Sequence, residues 1–171
     1  MHFLDVSWCY ISDLKGIEAF VNLDTFDCSI NDLTSLDVSN NTALKMLWCD
    51  ENKLTSLDVS NNTALAALSC SGNQLASLDV SKNTALAWLS CGNNELTSLD
   101  VSNNTALTIL DCGGNQLNSL NLVNNPAINS LSLYYMPSLS KVCVWTMPFP
   151  PTVLSVNTYG SPNVYFTMTC N

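Results

Sequence analysis

The chain has 171 residues, of which 47% are hydrophobic and only 11% charged, enough apolar material for one domain with a substantial core. Its net charge is −9, with five lysines, no arginine and 14 acidic residues. This composition argues against nucleic-acid binding, which needs a cationic face to displace counterions, and against docking on anionic lipid. Cationic partners, and neutral ones such as glycans, remain compatible. No apolar run approaches the roughly 18 residues of a membrane span, so no insertion is expected.

Met1-His2-Phe3 leads straight into patterned sequence with no legible signal peptide, as in a fragment of a longer chain. Residues 1–32 read as an N-terminal cap and first diverged repeat. The apolar set there is Leu4, Val6, Ile11, Leu14, Ile17, Phe20 and Leu23. The wider apolar spacing over Lys15–Asn22 predicts a short helical turn.

From Leu33 to Gln116 one 21-residue phrase occurs four times: LTSLDVSNNTALKMLWCDENK, LTSLDVSNNTALAALSCSGNQ, LASLDVSKNTALAWLSCGNNE and LTSLDVSNNTALTILDCGGNQ. A degenerate fifth copy, LNSLNLVNNPAINSLSLYYMP, closes the regular region 33–137. A period of this length signals a stacked solenoid. Each copy holds two half-units, L-x-x-L-x-V-x-x-N and L-x-x-L-x-C-x-x-N. In each, the L-x-Φ segment alternates in and out with the period of a β-strand, and the Asn-containing segment turns the chain. The expectation is a mainly β solenoid of about seven coils, capped at both ends, with short parallel strands on two facing sheets across a leucine core. Residues 138–171 break the pattern. Strand-like runs fall at Lys141–Trp145, Val153–Val156 and Val164–Met168. A β-rich cap is expected there, because the last coil of a solenoid exposes apolar interior and unpaired backbone. Trp145, Phe149, Tyr159, Tyr165 and Phe166 are candidates for its lid. Cys143 and Cys170 could tie it together if their Cα atoms come within about 7 Å.

The segment Leu44–Leu54, LKMLWCDENKL, and its echoes resemble the L-x-x-L-x-C-x-x-N-x-L signature of bacterial leucine-rich repeat proteins. The nested LxxLDVSxNTA half is similar to the 21-residue subclass called IRREKO, found in secreted or surface proteins of Bacteroidetes. Ile11–Phe20 resembles the N-terminal cap of that family. The resemblance covers roughly residues 4–137. It implies a secreted or cell-surface home and leaves function open, because this fold serves many partners.

Four columns of repeated residues read as structural. Cys28, Cys49, Cys70, Cys91 and Cys112 recur at one inward position. Metal sites instead cluster ligands at mixed spacings on turns, so this Cys ladder reads as small apolar packing. Asn31, Asn52, Asn73, Asn94 and Asn115, and a second set at Asn41, Asn62, Asn83, Asn104 and Asn125, suit corners where an inward amide satisfies turn backbone. Asp37, Asp58, Asp79 and Asp100, continued by Asn121, form an outward acidic column. It suits a solvated face, with calcium as the alternative, although a straight column offers few ligands.

The variable outward positions are where a function would be written. Met46, Trp48, Trp88, Ile109, Asp111, Tyr134 and Tyr135 are the candidate ligand-binding residues, because exposed aromatics beside small polar groups suit sugar stacking or protein anchoring. No catalytic residue is assigned. The single histidine, His2, sits in the terminus, hydrolase and phosphate-loop motifs are missing, and Asp27 and Asp111 lie several coils apart. No metal or cofactor is expected. The leading expectation is a non-catalytic module binding a protein or glycan. The alternatives are a structural spacer that stacks end to end, and an accessory module of a larger enzyme.

Overall fold

The computed structural model describes residues 1–147, 149–151 and 154–170. It is a parallel β-solenoid of about eight turns with almost no helix. Three-residue strands are laid down once per coil: β1 (Phe3–Asp5), β2 (Thr25–Asp27), β3 (Met46–Trp48), β4 (Ala67–Ser69), β5 (Trp88–Ser90) and β6 (Ile109–Asp111). After these come β7 (Ser119–Asn121), β8 (Ser130–Ser132), β9 (Lys141–Cys143), β10 (Ser155–Asn157) and β11 (Tyr165–Thr167). Among the described residues the only helical piece is a single 3-10 turn at Ile17–Ala19, within the segment expected to turn.

The main sheet has eight strands in the order β1-β2-β3-β4-β5-β6-β8-β10, all parallel. Register is set by the repeat: Phe26, Leu47, Leu68, Leu89, Leu110 and Leu131 are direct partners and point into the core. The cysteine two residues further on is fully buried in each of five successive coils. These five thiols are free, and the one disulfide joins Cys143 to Cys170, with Cα atoms 5.8 Å apart. Burial pushes the five thiols far above their ordinary range.

The two asparagine columns sit inside the corners. Asn73 shows the pattern of the first. Its Nδ2 donates to the carbonyls of Cys49 (3.0 Å) and Cys70 (3.0 Å), and its Oδ1 accepts from the Leu54 N–H at 3.0 Å. One amide thereby bonds two coils and its own turn. Asn83, of the second column, donates to Val59 O (3.0 Å) and Asn62 O (2.9 Å). Its Oδ1, like those of Asn41, Asn62, Asn104 and Asn125, is buried without a partner. At the last corner Met136 replaces the asparagine. There Ser161 Oγ accepts from Met136 N–H (2.8 Å) and donates to Leu133 O (2.6 Å).

The second sheet is smaller than the half-unit pattern predicts. Leu36–Val38, Leu57–Val59, Leu78–Val80 and Leu99–Val101 alternate in and out but carry no ladder. Open clefts separate neighbouring coils there, one lined by Leu57, Asp58, Ser77 and Asp79. A ladder closes only near the C-terminus, as the three-stranded sheet β11-β9-β7. The outward position that holds aspartate in four coils becomes Asn121, then Cys143, then Thr167 in that sheet. Like charges stacked opposite one another oppose strand pairing, and pairing appears where the charge is gone.

The C-terminal segment also differs from the expected lid. Rather than only covering the last coil, it adds β10 as an eighth strand and β11 to the smaller sheet, because donors and acceptors left open on β8 and β9 template further strands. Val153, the start of one expected run, lies outside the described residues. Trp145, Phe149 and Phe166 cluster with ring centroids 5.5 and 4.6 Å apart and pack on the core. Tyr159 and Tyr165 stay exposed.

Candidate binding face

The outward face of the main sheet presents two rows. The first runs Thr25, Met46, Ala67, Trp88, Ile109, Ser130. The second runs Asp27, Trp48, Ser69, Ser90, Asp111, Ser132. Strand alternation puts them on one surface, and parallel register places successive members about 4.8 Å apart. Met46 (37% exposed) and Trp88 (43%) stand on either side of Ala67, which they bury. Trp48 and Ile109 are half-buried, not fully exposed as alternation alone predicts. Alternation fixes the side of the sheet, whereas the size of the neighbours fixes how much of a side chain is left in water.

Between these apolar groups the floor is polar and small. Ser69 Oγ donates to Asp50 Oδ1 at 2.6 Å, and Ser71 N–H donates to the same oxygen at 2.8 Å. Ser71 and Ser90 share a hydrogen bond of 2.8 Å. Asp111 is half-buried. Burial raises its pKa, while the Gly113 N–H and the Ser132 hydroxyl act in the opposite sense. Tyr134 borders this floor and takes a 3.1 Å bond from Asn93 Nδ2. Tyr135, 58% exposed, packs edge-on against Tyr134 and Tyr159. The structure therefore brings Ile109, Asp111, Tyr134 and Tyr135 together toward one end and Met46 and Trp48 toward the other, with Trp88 between them, one strand from Ile109 and two from Met46.

Two contributions to this face are not evident from the candidate residues alone. The Tyr134 ring lies where a Cβ on Gly113 would sit. Gly113→Ala should thus displace the ring, break the Asn93–Tyr134 bond and cost about 1–3 kcal/mol by overpacking. Adding Tyr134→Ala should recover most of that loss in a thermal melt. The second contribution is a column of left-handed residues in the turns after the strands. The column includes Ile30 (φ 56), and from Glu51 (φ 50) onward the side-chain-bearing members, with Asn93 (φ 51) and Tyr135 (φ 49), alternate with Gly72, Gly114 and Gly160. The side chains of Glu51, Asn93 and Tyr135 each lie over the glycine of the next coil, in space a Cβ would fill. Left-handed backbone is costly for residues other than glycine and, to a lesser degree, asparagine, so the turns at Glu51 and Tyr135 are strained. The glycine–side-chain alternation is legible once the copies are aligned.

The acidic column lies on another face of the coil. Asp37, Asp58, Asp79 and Asp100 are exposed, and each accepts the N–H of the serine two residues on, at 2.8–2.9 Å. Hydrogen bonds from that serine hold each carboxyl below its ordinary pKa. A depressed folded pKa gives stability that is present above the unfolded value and is lost as pH falls through the folded one. Among the described residues no three metal-ligating side chains converge to hold an ion. Asn121 makes the equivalent bond to Val123 N–H at 3.1 Å. Asp79→Asn should therefore keep the melting midpoint at pH 7 and weaken the acid dependence, while Asp79→Ala lowers the midpoint. Melts from pH 2 to pH 7 check this.

The solenoid is similar to solved leucine-rich repeat structures from bacteria. An internalin of Listeria monocytogenes superposes with a TM-score of 0.76 at 21% identity, over 92% of this chain and 47% of that one. A leucine-rich repeat protein of Leptospira interrogans gives 0.73 at 24% identity, over 91% of this chain and 41% of that one. An internalin C2 of L. monocytogenes gives 0.61 at 18% identity, covering 97% and 80%. The chain spans about half the length, or less, of the first two. No family model and no curated protein matches it. No helix among the described residues is long and apolar enough to cross a membrane.

Proposed function

We propose that this chain is a non-catalytic binding or adhesion module, secreted or displayed on a bacterial surface, that engages a protein or glycan through the outward face of its main sheet. The carrying observation is the placement of Met46, Trp48 and Trp88 on that face, in coils whose other letters are copied almost verbatim. Exposed large apolar groups on a rigid strand scaffold are the usual anchors of recognition, and Asp111, Tyr134 and Tyr135 extend the face with polar groups. The similarity to internalins supports an adhesive role, and the nested 21-residue phrase supports an affiliation with the Bacteroidetes-type IRREKO subclass.

The test is binding to an array of glycans and surface proteins, comparing the native chain with Trp48→Ala/Trp88→Ala. Both side chains project from the outer face, so the double variant should melt near the native temperature and lose binding to whatever partner the array identifies. Undiminished binding by the double variant would sink the reading.

End-to-end self-association is a second reading. It is favoured by the open edges of β1 and β10 and by exposed Phe3, Trp8 and Tyr10 at the N-terminal end. Light scattering across a concentration series separates the two, because a monomer at every concentration rules out stacking.

A further inference from the structure

We infer that the Trp48 end of the sheet face receives an arginine side chain from a protein partner. The inference rests on the binding-face reading above and narrows it to one chemistry. Trp48 lies in register between Asp27 and Ser69, and Asp50 follows it by two residues. The two carboxylates beside the indole are oriented from within the fold. Asp27 Oδ1 accepts the Ser29 N–H at 2.9 Å. Asp50 Oδ1 accepts from Ser69 Oγ and Ser71 N–H. Among the described residues the Oδ2 atom of neither carboxylate accepts a hydrogen bond, so each keeps an oxygen for an outside donor. The chain also supplies no cation of its own there. The ion pairs of the described residues are His2 with Asp24 (3.6 Å) and Lys53 with Asp32 (2.7 Å), and neither Lys53 nor Lys45, three residues before Trp48, pairs with Asp27 or Asp50.

A half-buried indole with Asp27 in register beside it and Asp50 two residues on matches a guanidinium. Its plane stacks on the ring, and its fork of N–H groups reaches both acceptors. The net charge of −9 steers such a partner toward the chain. Ammonium has no plane to stack and is more strongly hydrated, so lysine is a weaker occupant. Trp88, whose register neighbours are Ala67 and Ile109, has no such carboxylates beside it in its row and serves the apolar part of the contact.

The test is a titration of the whole chain with the peptide acetyl-Gly-Arg-Gly-amide, followed through the tryptophan indole N–H signals in nitrogen-15 NMR spectra. The neutral isostere with citrulline in place of arginine is the control. The expected result is saturable movement of the Trp48 signal with arginine, with citrulline at least about tenfold weaker and added salt suppressing the effect. Asp27→Asn/Asp50→Asn keeps the internal acceptor oxygens and should weaken arginine binding by about fivefold or more with an unchanged melt. Equal response to citrulline, or movement of Trp88 while Trp48 is silent, overturns the inference. Loss of a neutral glycan or neutral protein partner in the Trp48→Ala/Trp88→Ala variant, with no arginine response in the native chain, also overturns it while leaving the binding-face reading standing.

Discussion

The folded chain is expected to lose stability steeply above about pH 9, because five buried thiols resist ionisation while the unfolded chain releases their protons. Cys28, Cys49, Cys70, Cys91 and Cys112 are all fully buried, and desolvation is the leading cause that raises each of them above the ordinary value of 9.0. The sign follows from linkage. A group whose folded pKa is raised contributes stability that is complete below the unfolded pKa and is lost as pH rises toward the folded one. Each thiol contributes about 1.4 kcal/mol per pH unit once the unfolded form is ionised, and five together about 7 kcal/mol per unit. That is comparable to the whole stability of a typical domain. The Tyr134 hydroxyl, raised by burial and then by Asp111, adds in the same direction. Urea unfolding at half-unit steps from pH 7 to pH 10.5 under nitrogen measures the slope, and Cys70→Ala should reduce it by about one fifth. In the native state only Cys9, the exposed free cysteine, should react rapidly with a thiol reagent. A flat stability profile across pH 9–10 would show that these thiols open to water far more readily than their burial implies.

Asn73→Leu should be among the most damaging single substitutions, at about 3 kcal/mol or more. The amide serves three partners that the fold has placed beyond water: Leu54 N–H, Cys49 O and Cys70 O. Leucine has a similar branched shape with bulkier ends and returns none of these bonds, and each orphaned buried group costs about 1–3 kcal/mol. Asn73→Asp is a sharper probe. It keeps the Oδ1 acceptor for Leu54 N–H but turns the donor into an oxygen facing two carbonyls. It should therefore be at least as harmful at pH 7 and partly relieved in acid, where a protonated carboxyl donates one bond. Asn83→Leu is expected to cost less, because the Oδ1 of Asn83 has no partner to lose. Denaturant midpoints for the three variants rank these effects.

Much of the architecture is legible in the spacing of residues. Leu47, Leu68 and Leu89 recur at 21 residues, and their register in the sheet is that same interval. What the spacing does not carry is the distance between coils away from the main sheet. Leu57-Asp58-Val59 has the letters of a strand, yet whether it pairs depends on how closely the next coil approaches, which is a property of the stack. The eighth strand is legible as a strand-like run at Val153–Val156, but its place in the main sheet is not. Ser155–Asn157 lies outside the 21-residue frame, and its place is dictated by the backbone groups β8 leaves open. On the candidate face, alternation identifies the side on which Trp48 and Ile109 lie. It is silent on how far Ala67, Ser69 and the neighbouring side chains let them sink. The glycine beneath Tyr134 acts only through the collision it avoids.

The interleaving of Glu51, Asn93 and Tyr135 with Gly72, Gly114 and Gly160 sets a rule for changing the length of this molecule. The alternation starts at Glu51, because the turn before it, at Ile30, is also left-handed and carries a side chain. From Glu51 onward the hollows recur every second coil, 42 residues in the regular region, although the core repeats every 21. Removing the coil that holds Gly72 would set Glu51 against Asn93 and take away the hollow that Glu51 occupies. The native Ile30–Glu51 step shows that two such turns can stack, so the shortened solenoid should fold, with its loss of stability confined to the altered corner. A deletion of 42 residues from Gly72 onward should keep every hollow filled and cost less at that corner than a deletion of 21.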